Sequence, residues 1–376
     1  MKKLTLIASC AFGIEKLVKF ELFDLGCPDI KVSDGKLEFE AEIIDICRCN
    51  INLRTANRVF IKLGEFSAFT FDELFENTKK IDFASFIPKN AEFPVSKVSS
   101  VKSKLFAKSS VQSIVKKAIV ENLKHAHGTP VLPENGAMYS IHVHIKNDIV
   151  SILLDTSGES LNRRGYREKG NRAPLKETLA AALVKLSGWR PNKDILYDPF
   201  CGSGTILIEA ALIGANVAPG LKRSFVSENF DFISPEEWKD AQEEADAKII
   251  DNIDLKIMGS DIDEKAIKLS KENSRIAGTK DFIKFFRKAL SDITAPADYG
   301  IIVCNPPYGE RLLEEKEAFN LYREMGQIFK EKFPDWDYFI LTSHPDFERA
   351  FGRKADRNRK LYNGKLMCYL YQYFKV

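Results

Sequence analysis

Three short stretches carry residue types that could do chemistry together. Asp198-Pro-Phe-Cys-Gly-Ser-Gly-Thr205 is an acid followed by a glycine turn. The glycines permit a sharp turn and let a ligand lie against the backbone. A helix opening directly after them exposes unpaired N–H groups that suit an anionic ligand group. Gly259-Ser-Asp261-Ile-Asp263 offers an acid, Asp261, able to accept from two ribose hydroxyls. Asp263 serves equally as a ligand or as the N-cap of the helix behind it. Asn305-Pro306-Pro307-Tyr308 presents one amide, a rigid turn and an aromatic ring. The two prolines remove two backbone donors and stop a strand, while Pro306 keeps its carbonyl. Asn305 and that carbonyl can accept both hydrogens of an exocyclic amino group, and Tyr308 can stack on the ring that carries it. Each stretch alone also reads as an ordinary turn; their order and spacing are what argue for a site.

The elements that must position them follow a strand–helix rhythm beginning at Leu175, the signature of a parallel sheet. Strands are expected at 195–198, 256–261, 283–286, 299–304 and 337–342, with a closing strand at 365–374, and helices at 176–186, 204–213, 264–277 and 319–332. In such sheets ligands bind outside the carboxyl ends of the strands, and all three stretches fall at such ends. A dinucleotide oxidoreductase would also use a Gly-x-Gly turn. Here the third glycine is missing, since Ile206-Leu207 follow Thr205, and Asp198 favours a bound ammonium over a pyrophosphate. Cys304 is a possible nucleophile, but it lies one residue inside its strand and projects to the face opposite Asn305.

Ahead of this half, residues 1–60 alternate short strands (4–9, 36–40) with helical patterns (14–25, 41–53). Residues 61–158 add strands at 59–66, 92–100, 138–146 and 149–155 around a helix at 109–123. A basic linker over 159–174 precedes the last domain, 175–376. An insert at 228–254 holds ten acidic residues against two lysines, which reads as a solvated face turned away from any polyanion. Length suits two or three domains. A 44% hydrophobic and 29% charged composition suits a globular chain without membrane spans, and the N-terminus runs on into a strand and helix rather than a signal peptide. Seven scattered cysteines point to reduced thiols in the cytoplasm. His142 and His144 share a strand face, but without a third ligand no metal is expected.

The three stretches together resemble the class I S-adenosylmethionine-dependent amino methyltransferases. Leu161-Asn-Arg-Arg-Gly-Tyr-Arg-Glu-Lys-Gly170 and Ala173-Pro-Leu-Lys-Glu-Thr-Leu-Ala-Ala-Ala-Leu183 narrow this to guanine-N2 RNA methyltransferases with an N-terminal THUMP domain. That group includes the RlmL/YpsC-type ribosomal RNA enzymes and the TrmN-type tRNA enzymes. The resemblance covers essentially the whole chain. It implies an α/β protein whose C-terminal Rossmann-like domain has a seven-stranded, mostly parallel sheet, behind a ferredoxin-like unit (1–60) and a THUMP domain (61–158). It implies S-adenosylmethionine held at Asp198, Phe200, Gly202, Gly204, Thr205, Asp261, Ile262, Asp292 and Asn305. Asp198, Phe200, Gly202 and Gly204 would take the methionine end, Asp261 the ribose, and Asp292 the adenine amino group. Asp292 is the candidate in the segment after the third strand, although Ala289 stands where many related enzymes have a polar residue. Asn305, Pro306 and Tyr308 form the implied catalytic set, acting on N2 of a guanosine in 23S rRNA.

RNA would be held by basic clusters. Six lysines and no acid lie between Lys97 and Lys117, including Lys102, Lys104, Lys108, Lys116 and Lys117. The linker adds Arg163, Arg164, Arg167, Lys169 and Arg172, and the C-terminal region adds Arg349, Arg353, Lys354, Arg357, Arg359 and Lys360. With a net charge of only +3, such clustering is polar and fits phosphate binding on one face. A duplexed target base would have to be unstacked. The chain is expected to be a monomer or weak homodimer. Alternatives are tRNA as substrate, DNA adenine-N6 or protein glutamine methylation, and a non-catalytic RNA-binding assembly factor.

Overall fold

The computed structural model describes residues 3–167, 175–308 and 312–375, so Lys169, Arg172 and the Gly309-Glu310-Arg311 segment that follows the third stretch lie outside the described residues. Among the described residues the strands form two sheets of seven.

The first sheet is built from β1 (Leu4–Cys10), β2 (Lys31–Ser33), β3 (Lys36–Ala41), β4 (Ala56–Ser67), β5 (Val95–Val101), β6 (Ile141–Lys146) and β7 (Ile149–Asp155), in the order β2-β3-β1-β4-β7-β6-β5. Helices α1 (Glu15–Asp24), α2 (Ile43–Asn52), α3 (Phe71–Lys79) and α4 (Lys108–Ala126) cover it. The long β4 pairs with β1 on one side and β7 on the other. One sheet therefore runs unbroken through the first 155 residues. His142 lies beside Phe60, with ring centroids 5.0 Å apart. Burial holds the imidazoles of His142 and His144 neutral, at pKa values lowered to about 3 and about 4.

The second half opens with α5 (Glu177–Leu186), β8 (Leu196–Asp198) and α6 (Thr205–Gly214), then α7 (Pro235–Asp246), β9 (Ile257–Asp261), α8 (Glu264–Ala277), β10 (Ile283–Arg287) and β11 (Ile301–Cys304). It closes with α9 (Leu312–Lys332), β12 (Asp337–Thr342), α10 (Phe347–Phe351), β13 (Arg357–Asn363) and β14 (Leu366–Tyr373). The strand order is β10-β9-β8-β11-β12-β14-β13. The pairings from β10 through β12 are parallel; β14 pairs antiparallel with both β12 and β13. The expected sheet is thus parallel at its centre and antiparallel at one edge, where a hairpin stands in place of a single closing strand.

The acidic insert is not simply a solvated face. Ser234 caps α7 by accepting from Glu237 N–H, and Pro235 occupies the first helical position. Trp238, Ala241 and Ala245, one stripe of α7, are buried in the first half's core with Phe225 and Phe230. Tyr139 stacks on Phe230 with ring centroids 4.3 Å apart. Arg48 Nε donates to Glu244 at 2.8 Å. Gly220 N–H donates to the Ile51 carbonyl at 2.8 Å, and a Cβ there would stand 2.6 Å from Ile51 Cα, so only glycine fits. The carboxylates occupy the outer faces of a helix whose apolar stripe bolts the two halves together.

The linker is also structural where it is described. Arg164 is 5% exposed. Its guanidinium donates to the Leu161 and Arg54 carbonyls and lies 3.5 Å from Glu209 on α6, which also accepts from Tyr166 Oη at 3.0 Å. A buried cation with these partners cannot reach a phosphate, so Arg164 is removed from the expected RNA-binding set. Arg164→Ala would strand the buried Glu209 carboxylate. The expected cost is about 3–5 kcal/mol, seen as a lowered urea midpoint at unchanged slope.

Candidate active site

The three stretches converge because β8, β9 and β11 are parallel neighbours. Tyr197 pairs with Ile302, and Asp198 with Gly259, so Asp198, Asp261 and Asn305 emerge from one sheet edge. All four residues of β11 are buried, which makes that strand scaffold. Burial lifts the Cys304 thiol well above its usual range, leaving no thiolate for nucleophilic attack.

The glycine turn is held from three sides. Gly202 and Gly204 have φ of +50° and +81°, and Gly204 opens α6. A Cβ on Gly204 would sit 3.0 Å from Ser270 Cβ and 3.3 Å from the Phe285 ring. Asn273 Nδ2 on α8 donates to the Ser203 carbonyl at 2.9 Å. Asp261 Oδ2 accepts from Gly202 N–H at 3.0 Å, while its Oδ1 accepts from Asp263 N–H at 2.9 Å. Asp261 therefore fastens the turn to β9 through Gly202 and steadies its own strand end through Asp263, two of about four acceptor positions. Asp263 caps α8 by accepting from Lys265 N–H at 2.8 Å, which decides its role as structural.

Asp198 is 2% exposed and accepts from Phe200 N–H at 3.0 Å. Burial, reinforced by the nearby Asp261 charge, pushes its carboxyl up to about 8, against the pull of the Phe200 N–H. Among the described residues no cation pairs with this carboxyl. Beside it lie the opening N–H groups of α6 and the partly buried Thr205–Ser203 hydroxyl pair, 3.1 Å apart. An acceptor for an ammonium beside donors for a carboxylate fits the two charged groups of an amino acid. Ile262, 68% exposed beside Asp261, offers an apolar face for a flat ring. Asp292 lies on the exposed short turn after β10, where Ser291 Oγ donates to its Oδ1 at 3.0 Å.

Asn305 is half-buried and Pro306 buried. Tyr308 Oη donates to Asn305 Oδ1 at 2.8 Å, which orients the amide and leaves its oxygen one acceptor position. Tyr322 Oη donates to the Pro307 carbonyl at 2.6 Å and lies 3.0 Å from Thr342 Oγ1. Sequence reasoning missed Tyr322 and Asn273, whose polar tips brace the two turns. The only available signal was a polar group on the buried face of an otherwise amphipathic helix.

The basic residues divide. Lys102, Lys104, Lys108, Lys117 and Arg163 are exposed. Lys104 Nζ sits 5.0 Å from the Phe69 ring centre, and Phe106 nearby in the chain is exposed as well. Lys116 instead turns onto its own domain, 2.7 Å from Glu134 and 3.3 Å from the Phe93 ring centre. Arg167 pairs with Glu177 at 2.7 Å and donates to Thr205 Oγ1 at 3.2 Å. Both are committed to neighbours within the chain, so Arg167 belongs with the glycine turn rather than with an open basic surface.

Comparison with known proteins defines the class first. Residues 164–372 match the RMKL-like methyltransferase domain, residues 5–60 the RlmL ferredoxin-like domain and residues 68–155 the THUMP domain. The fold is that of a class I, S-adenosylmethionine-dependent methyltransferase. The chain is 48% identical to YpsC of Bacillus subtilis (strain 168) over 100% of its own length and 97% of that protein. It is 31% identical to the ribosomal RNA large subunit methyltransferase K/L of Desulfotalea psychrophila over 97% of its length but only 52% of that enzyme, so it spans about half of the K/L proteins. The crystal structure of SMU.472 complexed with SAH superposes with a TM-score of 0.93 at 42% identity, covering 100% of this chain and 99% of that one. The chain belongs to the RMKL-like methyltransferase family, with ferredoxin-like and THUMP domains ahead of the catalytic one.

Proposed function

We propose that this protein is an RNA methyltransferase acting on the exocyclic N2 of a guanosine, with large-subunit rRNA as its target. The observation that carries the reading is Asn305. It stands on the same sheet edge as the glycine turn, with its amide oriented by Tyr308 and its turn locked by Tyr322. An aromatic amine is a weak nucleophile because its lone pair is delocalised into the ring. Acceptors at Asn305 Oδ1 and the Pro306 carbonyl favour a pyramidal nitrogen and raise its electron density. S-adenosylmethionine supplies a methyl group already activated on sulfonium. The chain's remaining task is to align the amino nitrogen with that methyl and hold it still. The N–C bond forms as the S–C bond breaks, and the amine proton leaves to water.

In this assignment Asp198 holds the methionine ammonium, Asp261 the ribose hydroxyls, and Asp292 the adenine amino group, with Ile262 against its ring. The THUMP-domain match and the K/L relatives favour RNA over DNA or protein as substrate. Seven free thiols fit a reducing cytoplasm. The test is transfer of labelled methyl from S-adenosylmethionine to undermethylated rRNA, followed by nucleoside digestion. N2-methylguanosine is expected; label found only in DNA or protein overturns the reading. Replacing Lys102, Lys104 and Lys108 together with alanine should weaken RNA binding and flatten its salt dependence by up to about 0.9 for each phosphate no longer neutralised. Titrations of affinity against salt concentration read this directly.

A further inference from the structure

A second crevice, of about 530 Å³, lies where the N-terminal loop after β1 meets α5 and the β13–β14 hairpin. Its volume is in the ~300–1,000 Å³ range of small-molecule sites. Its walls include Phe12, Asn57, Lys176, Thr178, Lys360 and Tyr362, and no carboxylate among the described residues lines it. Phe12 is 48% exposed. Its ring meets Tyr362 edge-on, with centroids 6.1 Å apart, and Lys360 Nζ lies 5.6 Å from the Tyr362 ring centre.

The crevice is built rather than incidental. Gly13 has φ of +95°, and a Cβ there would stand 2.6 Å from the Lys360 carbonyl oxygen. Arg359 Nη1 donates to the Gly13 carbonyl at 3.4 Å. Backbone contact between distant parts of the chain thus sets Phe12 against Tyr362. The hairpin register places the crevice. Tyr369 pairs with both Thr342, the last residue of β12, and Lys360. Lys360 and Tyr362 therefore lie toward the carboxyl ends of the parallel strands, the edge that carries Asn305. Lys176 N–H donates to Asn363 Oδ1 at 3.3 Å and ties α5 to the same corner.

Exposed aromatic rings interleaved with lysines form the surface on which single-stranded nucleic acid stacks its bases and neutralises its phosphates. We infer that this crevice takes one unpaired nucleotide of the substrate RNA beside the target base, its base against Phe12 and Tyr362 and its phosphate between Lys176 and Lys360. The inference rests on the RNA reading above.

The test uses the full-length chain and fluorescein-labelled pentauridylate, with binding followed by anisotropy. Phe12→Ala and Tyr362→Ala should each weaken binding about tenfold or more, while Tyr362→Phe, which keeps the ring, stays within about twofold of wild type. Replacing Lys176 and Lys360 together with alanine should lower the salt slope by about 0.7, the share of one phosphate no longer neutralised. Thermal midpoints report folding of each variant, and Tyr362→Phe serves as the conservative control. Affinity unchanged in both ring-removing variants overturns the inference, as does free UMP competing as well as the pentamer. If the wild type methylates rRNA yet these variants bind normally, the crevice fails and the function stands. If pentauridylate binding depends on the crevice while label enters only DNA or protein, the RNA reading fails and takes the substrate-RNA assignment of the crevice with it, although the crevice still binds nucleotides.

Discussion

Asn305→Ala lowers kcat for methyl transfer by about a hundred- to a thousandfold, the scale seen when one preorganised polar group is removed from a reacting centre. The substitution removes the side-chain acceptor and with it the oxygen to which Tyr308 Oη donates. The affinity for S-adenosylmethionine changes by no more than about threefold, because Asp198, the glycine turn and Asp261 are untouched. Single-turnover transfer and equilibrium cofactor binding, measured on one preparation, separate the two quantities. A parallel collapse of cofactor affinity would show that Asn305 holds the cofactor more than the amine. Tyr308→Phe separates the amide's orientation from its presence. It keeps the ring but loses the hydroxyl, so it should retain more activity than Asn305→Ala.

Asp198→Asn is expected to weaken S-adenosylmethionine binding by roughly 10- to 100-fold, the worth of a buried charge-assisted hydrogen bond. Its pH dependence is the sharper test. Burial holds the carboxyl at about 8 in the ligand-free chain, above the 3.8 of an unperturbed aspartate. The folded chain therefore keeps a proton that the unfolded chain releases. That stability is present in full below about pH 4 and is lost as pH rises through about 8. An ammonium partner needs the carboxylate, so binding must expel the proton. Cofactor affinity should rise between pH 6 and pH 8, with calorimetry in buffers of different ionisation enthalpy showing proton release. Above about pH 8 the gain stops, because the ligand's own α-amino group begins to lose its charge. In Asp198→Asn the rise and the proton release should both vanish. A pH-independent wild-type affinity would place the ammonium elsewhere.

How much of this was legible in the sequence depends on what each residue had to do. The convergence of the glycine turn, Asp261 and Asn305 on one sheet edge was readable because strand ends fall at fixed intervals in a parallel sheet. Asp263 was undecided between ligand and cap until its oxygen met Lys265 N–H. Helix α7 was hidden by its own composition. Its buried stripe is one tryptophan and two alanines, too sparse to show against seven acids and amides in the same helix, though Ser234-Pro-Glu-Glu237 is a helix start in plain view. Strand β13 was read only as a basic segment. As an edge strand it buries little beyond Leu361, so it lacks the alternation that marks a strand. Arg164 and Arg167 misled for a different reason. A cluster of basic residues in a polar linker reads as phosphate-binding, and only the fold reveals Glu209 and Glu177 waiting for them.

The apolar bolt made by Phe225, Phe230 and Trp238 has a consequence for how a substrate would be chosen. Because part of the second half completes the core of the first, the two halves meet through packed side chains and not through a linker alone. On the proposed function, an RNA that touches both the lysine loop after β5 and the Asn305 edge would have to match the distance between them, and a correct base at the wrong reach would stay untouched.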